Sequence, residues 1–148
     1  MQIREAMTPE VRTVTPGSSL REAAKIMATI DAGVLPVSEG DRLIGMVTDR
    51  DIAVRGVALG KGPDATVGEV MTHEVMYCFD DEIVEDVCEN MADIQVRRLP
   101  VLNRDKRLVG IVSLADIATL ADNESAGQAL EGITRPSGVH NQSNDARA

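Results

Sequence analysis

The sequence predicts an α+β protein built from two copies of one strand–helix–strand–strand–helix unit. The segment Gly45–Ala53, GMVTDRDIA, returns as GIVSLADIA at Gly110–Ala118. The tripeptide Leu-Pro-Val occurs at residues 35–37 and again at residues 99–101. The register between the copies slips by one residue in the turn at Asn103–Lys106. Because an internal repeat decides how a whole chain is organised, these matches predict a duplicated fold.

The first half of the first copy follows from turn signals and apolar spacing. Ile3–Met7 is a predicted short amphipathic turn, and the alternating, β-branched Val11–Val14 predicts a strand. Ser19 and Glu22 have the spacing of a capping box, which opens a helix, and Gly33 is predicted to end that helix. The apolar face of the helix consists of residues three and four positions apart, Leu20, Ala23, Ala24, Met27 and Ile30.

Two strands and a short helix complete the first copy. Val34–Val37 predicts a strand whose Pro36 lies at a sheet edge or a bulge, because proline donates no ladder hydrogen bond. Leu43–Val47 predicts the next strand, which turns directly into a helix over Asp49–Arg55.

The second copy repeats this order after a glycine-containing linker. The predicted boundaries are residues 3–55 for the first repeat, 56–66 for the linker and 67–120 for the second repeat. The second long helix presents the apolar residues Val84, Val87, Cys88, Met91 and Ile94. A unit of this size buries only about 60% of its unfolded surface, whereas the joined pair buries roughly 68–70%. We therefore expect the repeats to pack face to face around a pseudo-two-fold axis.

A helical extension is predicted after the second repeat, over residues 121–136. Its helix, Ser125–Ile133, would open with Ser125 and Gln128 as a capping box. Residues 137–148 are polar and nearly without apolar side chains, which predicts a disordered tail.

The composition argues against two classes of partner. The 148-residue chain has a net charge of -9 and contains one Tyr, one Phe and no Trp. Nucleic-acid-binding proteins instead carry excess Lys and Arg, and those that stack bases need aromatic platforms. No apolar run has signal-peptide or membrane-spanning length. The sequence therefore predicts a cytoplasmic protein with neither a nucleic-acid partner nor a membrane partner.

Metal binding and catalysis find little support in the sequence. The two cysteines, Cys78 and Cys88, form no CxxC pair, and the only histidines are His73 and His140, so neither a zinc site nor a disulfide framework is predicted. Cys88 is interpreted as a small buried residue on a helix.

No phosphate-binding loop, nucleophile elbow or paired catalytic His is recognisable. The acidic run Asp80–Glu82 is interpreted as helix-start charge. A non-enzyme that requires no cofactor is predicted.

Each copy carries a hydroxyl residue followed three positions later by a carboxylate, Thr48 with Asp51 and Ser113 with Asp116. Taken alone, this spacing favours a capping box, which contributes about 0.5–2 kcal/mol to a helix. A carboxylate can also bind a ligand, because hydrogen bonds to a charged acceptor contribute about 1.5–3 kcal/mol each. The two interpretations are compatible, since a cap can share its oxygens.

The doubled pattern Met-Thr … Leu-Pro-Val … Gly-x-Val-Thr/Ser-x-x-Asp-Ile resembles the tandem CBS pair, or Bateman module, named after cystathionine β-synthase. The resemblance covers about residues 3–120 and is strongest to small bacterial stand-alone CBS-pair proteins, some called hypoxic response proteins. It implies two pseudo-symmetric βαββα repeats that pack through three-stranded sheets. It also implies dimers that form a flat disc, and clefts between the repeats that bind adenosine-containing ligands.

In such a cleft the resemblance implies that Asp51 and Asp116 accept hydrogen bonds from a ribose diol. Thr48 and Ser113 would help to hold the sugar or an adjacent phosphate. The glycine that begins each nine-residue segment has no Cβ, so it would let a ligand or another backbone approach closely.

The repeats differ in the residues that precede Leu-Pro-Val. The second has Arg97 and Arg98, at positions where the family's basic residues contact ligand phosphates, and a guanidinium binds phosphate bidentately. Neighbouring side chains on a strand point to opposite faces, so at most one arginine is expected to face a cleft, and both could be solvated surface charges. The first repeat offers only Arg50. The implied adenine-contacting positions are Thr13, Ala32, Tyr77 and Val96.

These observations predict a regulatory module that binds AMP, ADP or ATP and passes a conformational signal to a separate effector protein, with the chain forming a homodimer. Two alternatives stay open at this point. One is a ligand-free dimerisation or adaptor module, and the other is a binder of NAD or S-adenosylmethionine.

Overall fold

A computed structural model of the protein describes residues 1–120 and 123–135. Its strands are β1 (Thr8–Pro9), β2 (Val34–Glu39), β3 (Arg42–Thr48), β4 (Cys78–Phe79), β5 (Arg98–Leu102) and β6 (Leu108–Ser113). Its helices are α1 (Leu20–Ile30), α2 (Asp49–Asp51), α3 (Val84–Ile94), α4 (Leu114–Leu120) and α5 (Asn123–Thr134). A π-helical turn, Ile52–Gly56, continues α2, and short 3-10 helices occupy Ile3–Glu5, Val57–Leu59 and Val67–Glu69. The α+β class and the two repeats are confirmed.

The two repeats form separate sheets with matching strand positions. In the second repeat the order is β1-β6-β5-β4, with β6 antiparallel to β1 and β5, and β4 parallel to β5. In the first repeat β2 is antiparallel to β3. Single bridges place Val14 parallel to Val37 and Thr72 antiparallel to Met46. These bridges occupy the positions of β4 and β1, so the sheets share one pattern and each has a fourth strand position beyond the three expected.

The segment that begins each repeat in the sequence crosses to the other repeat. β1 lies near the N-terminus but pairs with β6, where Thr8 is opposite Ile111. Correspondingly, Thr72 exchanges two main-chain hydrogen bonds with Met46 of the first repeat, over 2.8 and 3.0 Å. Reciprocal strand pairing therefore joins the repeats, a feature that the sequence analysis did not predict.

Each repeat has its own hydrophobic core, which the exchanged segment completes. Ile3 and Ala6 are buried in the core of the second repeat. Val67, Val70 and Met71 are buried in the core of the first repeat. Because a fully buried Val or Ile side chain contributes about 1.5–3 kcal/mol, these residues stabilise the repeat in which they are buried.

The two long helices confirm the predicted periodicity, with local corrections. The Ser19 side chain accepts a hydrogen bond from Glu22 N over 3.0 Å and caps α1, but the reciprocal bond of the predicted capping box, from Ser19 N to the Glu22 side chain, is not formed among the described residues. The prediction that Gly33 ends α1 was wrong, because Asp31 ends it two residues earlier in a left-handed conformation with φ 53°. Gln95 ends α3 in the same way, with φ 56°. A left-handed residue stops the helix by turning the chain out of its axis.

The buried faces of these helices agree with the prediction for most residues. In α3 the predicted residues Val84, Val87, Cys88 and Met91 are all buried. In α1, Leu20, Ala23 and Met27 are buried. Ala24 and Ile30 are exposed, so their assignment to the core was wrong. No described helix covers them as α5 covers α3.

Two local predictions for the first repeat need correction. The predicted strand Val11–Val14 is wrong except at Val14, whose N donates to Pro36 O over 3.2 Å and whose O accepts from Ser38 N over 2.9 Å. Alternation is a local signal, whereas a strand also needs a partner, and the structure provides one only at Val14. The helix predicted over Asp49–Arg55 begins as expected but continues to Leu59, so the predicted linker starts with helical structure.

The two Leu-Pro-Val prolines lie next to β-bulges, as predicted. The register of β2 shifts between Val37 and Ser38, just after Pro36. The register of β5 shifts between Val101 and Leu102, just after Pro100. A bulge tolerates proline because it interrupts the ladder of hydrogen bonds that proline cannot donate to.

The predicted C-terminal helix is present as α5, which packs against α3 and α4. It begins at Asn123, so Ser125 lies inside the helix and the predicted capping box was wrong. Near its end the Gln95 side chain donates to Gly132 O over 3.1 Å. Residues 137–148, predicted to be disordered, lie outside the described residues. The repeat boundaries at 3–55 and 67–120, and the extension at 121–136, stay predictions.

Candidate ligand-binding site

Thr48 and Asp51 form a complete capping box at the start of α2. Asp51 N donates to Thr48 Oγ1 over 2.9 Å, and Thr48 N donates to Asp51 Oδ2 over 3.0 Å. Arg55, one helical turn further on, places Nε 3.9 Å from Asp51 Oδ1. The Asp51 side chain is only 14% exposed, so its carboxylate is held against the protein and is not free in bulk water.

Ser113 and Asp116 repeat this arrangement at the start of α4. Asp116 N donates to Ser113 Oγ over 3.1 Å, and Ser113 N donates to Asp116 Oδ2 over 3.1 Å. Ser113 is 6% exposed and Asp116 is half-buried. The capping interpretation of both pairs is therefore confirmed.

Capping leaves part of each carboxylate free for a ligand. Asp116 Oδ2 accepts the cap hydrogen bond, while Oδ1 accepts none from the residues at 1–120 and 123–135. An ionised carboxylate has about four acceptor positions, so it can cap a helix and accept two ribose hydroxyl groups together. The cap also holds the carboxylate in one orientation, which lowers the entropic cost of binding. Ribose binding by either residue stays a prediction.

A pocket of about 480 Å³ opens beside Ser113. It is lined by Arg97, Arg98, Ser113, Leu114, Ala115, Ala118, Ala126, Gly127 and Leu130. Its volume lies within the range of about 300–1,000 Å³ that is usual for small-molecule sites. Both arginines line this pocket, whereas the expectation of a single arginine concerned a cleft between the repeats and stays a prediction. Arg97 precedes β5, so the alternation of a strand does not apply to it.

This pocket, which we call the Ser113 pocket, does not lie between the repeats. Its walls come from the second repeat and α5, and Asp116 is not among its lining residues. A second pocket, of about 550 Å³, is lined by both repeats, and its lining includes Asp41, Arg42, His73, Tyr77, Lys106 and Arg107. The structure therefore does not place Tyr77 in one pocket with Ser113.

The other predicted contact residues are dispersed. Ala32 N donates to Met27 O and Val96 N donates to Met91 O, each over 3.1 Å. Because these N–H groups close α1 and α3, an adenine could use only the carbonyl groups there. Thr13 is half-buried beside the bridge made by its neighbour, and Arg50 is exposed. Their assignment as ligand contacts stays a prediction.

Two features of the candidate sites were not predicted from the sequence. The α5 residues Ala126, Gly127 and Leu130 line the Ser113 pocket, but the sequence indicated only that a helix exists and not which surface it covers. The contact between the Asp49 carboxylate and Gly33 was also missed. Its Oδ2 would lie 2.7 Å from a Cβ placed on Gly33, so the carboxylate fills the space above that glycine. Gly33, which directly precedes β2, was the sequence feature that could have indicated this close contact.

Among the groups whose pKa values are shifted, Asp41 and Cys78 illustrate two different physical causes. The Arg107 side chain hydrogen-bonds to Asp41 and lowers the pKa of that carboxyl, which links the β2–β3 and β5–β6 turns. Both groups are exposed, so this ion pair contributes little to stability. Burial, with the negative charges of Glu82 and Asp80, raises the pKa of the Cys78 thiol to about 12. Cys78 therefore stays protonated at neutral pH, and the predicted burial of Cys88 is confirmed.

Within the described part of the chain, no group of three or more His, Cys, Asp or Glu side chains is arranged to hold a metal ion. No helix in the same residues is both long enough and apolar enough to cross a membrane.

The fold and the candidate site define a two-repeat α+β protein with matched hydroxyl–carboxylate caps at equivalent positions. A sequence profile of the CBS domain matches residues 3–56 and 67–131. The chain therefore belongs to the CBS domain family, as the sequence patterns predicted.

Relatives with similar lengths support this assignment. The chain is 42% identical over 133 residues to the CBS domain-containing protein YhcV of Bacillus subtilis, a match that covers 89% of this chain and 94% of YhcV. It is 38% identical over 135 residues to Hypoxic response protein 1 of Mycobacterium tuberculosis, covering 90% and 94% of the two chains.

Solved structures of similar fold include three with bound groups. Hypoxic Response Protein I with two coordinated zinc ions has a TM-score of 0.75 at 39% identity, covering 82% of this chain and all of that one. CBSX2 in complex with AMP has a TM-score of 0.72 at 26% identity, covering 81% and 95%. The CBS domain pair of MJ0100 with 5′-methylthioadenosine and S-adenosylmethionine has a TM-score of 0.72 at 31% identity, covering 82% and 100%.

Proposed function

We propose that this protein is a regulatory module that binds an adenosine-containing ligand, AMP or ATP, and passes a conformational change to a separate effector protein. The main observation in favour of this proposal is the pair of matched caps. Each cap holds a carboxylate in place and leaves some of its hydrogen-bond acceptor positions unused. Ribose offers two adjacent hydroxyl donors, which such a carboxylate can accept together.

The Ser113 pocket supports a phosphorylated ligand. Arg97 and Arg98 both line it, and neither forms an ion pair with any other residue that the structure describes. Two unpaired guanidinium groups beside a hydroxyl group can bind phosphate oxygens bidentately. The adenosine compounds bound by CBSX2 and MJ0100 are consistent with this ligand class.

A conformational signal would follow from the position of α5. This helix lines the Ser113 pocket and also packs on α3 and α4, so a ligand that contacts it can favour one arrangement of these helices over another. We propose that the chain acts in the cytoplasm without catalysing a reaction, and that its output depends on an unidentified protein partner. NAD or S-adenosylmethionine in the same sites is the nearest alternative ligand.

The first test is a thermal unfolding screen with AMP, ADP, ATP, NAD and S-adenosylmethionine. At a free ligand concentration 100 times Kd, binding to the native state adds about 2.7 kcal/mol of stability. For a protein of this length we expect Tm to rise by roughly 2–4 °C per kcal/mol. No shift with any of the five compounds would contradict the proposed function and favour a ligand-free dimerisation or adaptor module.

Alanine substitutions separate ligand binding from helix capping. Asp51→Ala and Asp116→Ala each remove a cap and should lower the stability of the ligand-free protein by about 0.5–2 kcal/mol. If the carboxylate also binds ribose, the nucleotide-dependent rise in Tm should shrink or vanish in at least one of them. Glu69→Ala is the matched control, because Glu69 accepts a similar cap bond from Thr66 N over 2.7 Å outside both candidate sites. An undiminished rise in both Asp variants would show that the carboxylates only cap.

We further propose that the protein forms a homodimer through a surface that we call the α1–α2 face. It consists of Ala24 in α1, Ile52 and Val54 in the π-helical turn that continues α2, and Val57 in the 3-10 helix that follows. Ala24, Ile52 and Val57 line a small apolar groove, and Val54 and Val57 are 47% and 68% exposed. In the second repeat α5 covers the equivalent helices α3 and α4. The α1–α2 face has no such cover among the described helices, and a second copy would bury it.

Sedimentation measurements test this assembly. Val57→Asp places a charge on the α1–α2 face and should weaken the dimer at least tenfold, since a buried unpaired charge costs on the order of several kcal/mol. Met76→Asp is the control, because Met76 is a comparably exposed apolar residue outside that face. A wild-type protein that sediments as a monomer at all concentrations, or equal weakening by the two variants, would contradict the proposed interface.

A further inference from the structure

Equivalent positions beside the two candidate sites differ in charge. In the first repeat Asp49 N donates to Gly33 O over 2.9 Å, and in the second Leu114 N donates to Arg97 O over 3.0 Å. These matching hydrogen bonds show that Gly33 corresponds to Arg97 and that Asp49 corresponds to Leu114. The first repeat therefore has a carboxylate where the second has an apolar side chain, and a glycine where the second has an arginine.

The Asp49 carboxylate occupies the space that a side chain at position 33 would need, so a residue larger than glycine there requires this carboxylate to move. A Cβ on Gly33 would lie 2.7 Å from Asp49 Oδ2, closer than side-chain Cβ atoms approach other atoms. Asp49 Oδ1 accepts a hydrogen bond from Arg50 N over 2.8 Å, which holds the carboxylate in this position. Arg50 and Arg55 supply cations to the first repeat, but the carboxylates of Asp49 and Asp51 lie beside them and offset their charges.

The second repeat has the opposite electrostatic character. Arg97 and Arg98 line the Ser113 pocket, and the residue that corresponds to Asp49 is the uncharged Leu114. Guanidinium groups without a carboxylate partner attract a phosphate dianion, whereas a nearby carboxylate repels it. The difference between the repeats therefore concerns the charge of the ligand and not the sugar, because both repeats have the same hydroxyl–carboxylate cap.

We propose that a nucleoside monophosphate binds only at the second repeat, and that the first repeat takes an adenosine derivative without a phosphate group. This inference rests on the proposed binding of adenosine-containing ligands and adds the ligand class of each repeat. The chain thereby binds two chemically different adenosine compounds, one at each repeat.

Isothermal titration of the full chain with AMP and with 5′-methylthioadenosine tests this assignment. We expect one AMP per chain, bound at least tenfold more weakly by Arg97→Ala, since this variant loses the charge-assisted hydrogen bonds of one guanidinium to the phosphate. AMP binding should be lost in Asp116→Ala and kept in Asp51→Ala. Binding of 5′-methylthioadenosine should instead be lost in Asp51→Ala. Arg97 is exposed, so its replacement does not endanger the fold.

The decisive variant is Asp49→Asn, which removes the charge and keeps an acceptor for Arg50 N. It should bind a second AMP per chain, and this second equivalent should disappear when Asp51→Ala is added. Asp86→Asn is the matched control, because it removes an equal charge from an exposed position on α3 and should leave one AMP per chain.

Several outcomes would overturn the inference while leaving adenosine binding intact. They are two equivalent AMP sites in the unmodified protein, AMP binding that depends on Asp51 and not on Asp116, or an Asp49→Asn variant that still binds one AMP. Absence of binding by both compounds would have a different meaning, because it would overturn the proposed function and the inference with it.

Discussion

Replacing Ile3 with alanine is expected to destabilise the protein by about 2–5 kcal/mol, the usual cost of truncating a fully buried Ile in a core. Ile3 is 0% exposed and lies in the core of the second repeat, although it belongs to the first repeat by sequence. Alanine would leave a cavity that the surrounding side chains fill only in part. The measurement is urea or thermal unfolding, in which Tm should fall by roughly 2–4 °C per kcal/mol.

Ile83→Ala is the matched control for this substitution. Ile83 lies at the start of α3, in the strand bridge with the residue that precedes Ile3, but its side chain is 51% exposed. We expect a change within about 0.5 kcal/mol for such a surface position. Equal effects of the two substitutions would contradict the exchange of N-terminal segments between the repeats.

Replacing Gly110 with alanine is expected to destabilise the protein by about 1–3 kcal/mol, the typical cost of forcing an extra carbon atom into a filled space. The new Cβ would lie 2.5 Å from Met7 Sδ and 2.9 Å from Thr8 O. The methionine side chain can move aside, but the Thr8 carbonyl belongs to β1 and is fixed by its pairing with β6. The strand must therefore shift or separate.

Gly17→Ala provides the control, because a Cβ there would meet no atom within 4 Å. Unfolding by urea should show a loss of stability for Gly110→Ala and a change within about 0.5 kcal/mol for Gly17→Ala. A Gly110→Ala protein as stable as the unmodified one would mean that β1 does not lie against β6 as described.

Gly45 and Gly110, the glycines that begin the two repeated nine-residue segments, are explained by how closely the backbone packs against them. The sequence left open whether a ligand or another backbone approaches them. At Gly45 a Cβ would lie 2.8 Å from Thr72 O, and at Gly110 the corresponding atom is Thr8 O. Both glycines therefore accommodate the exchanged segment, and no ligand is needed to explain them.

The caps at Asp51 and Asp116 show which parts of the candidate sites can be predicted from local sequence. A hydroxyl residue three positions before a carboxylate predicted both capping boxes, because a cap involves only atoms within one helical turn. The pockets near these caps involve other parts of the chain. The Ser113 pocket depends on α5, and its existence could not be inferred from the spacing of Ser113 and Asp116.

The sequence by itself determined the duplication, the long helices with most of their buried faces, the hairpin strands and the caps, because these depend on the period of apolar residues and on neighbours a few positions apart. Only the tertiary structure decided that the segments around Ile3 and Val67 complete the opposite cores, and that α5 lines a pocket in the second repeat. The physical reason lies in the duplication. Two similar repeats present similar apolar surfaces and strand edges, so each exchanged segment has two nearly equivalent places to dock, and local pattern does not distinguish them.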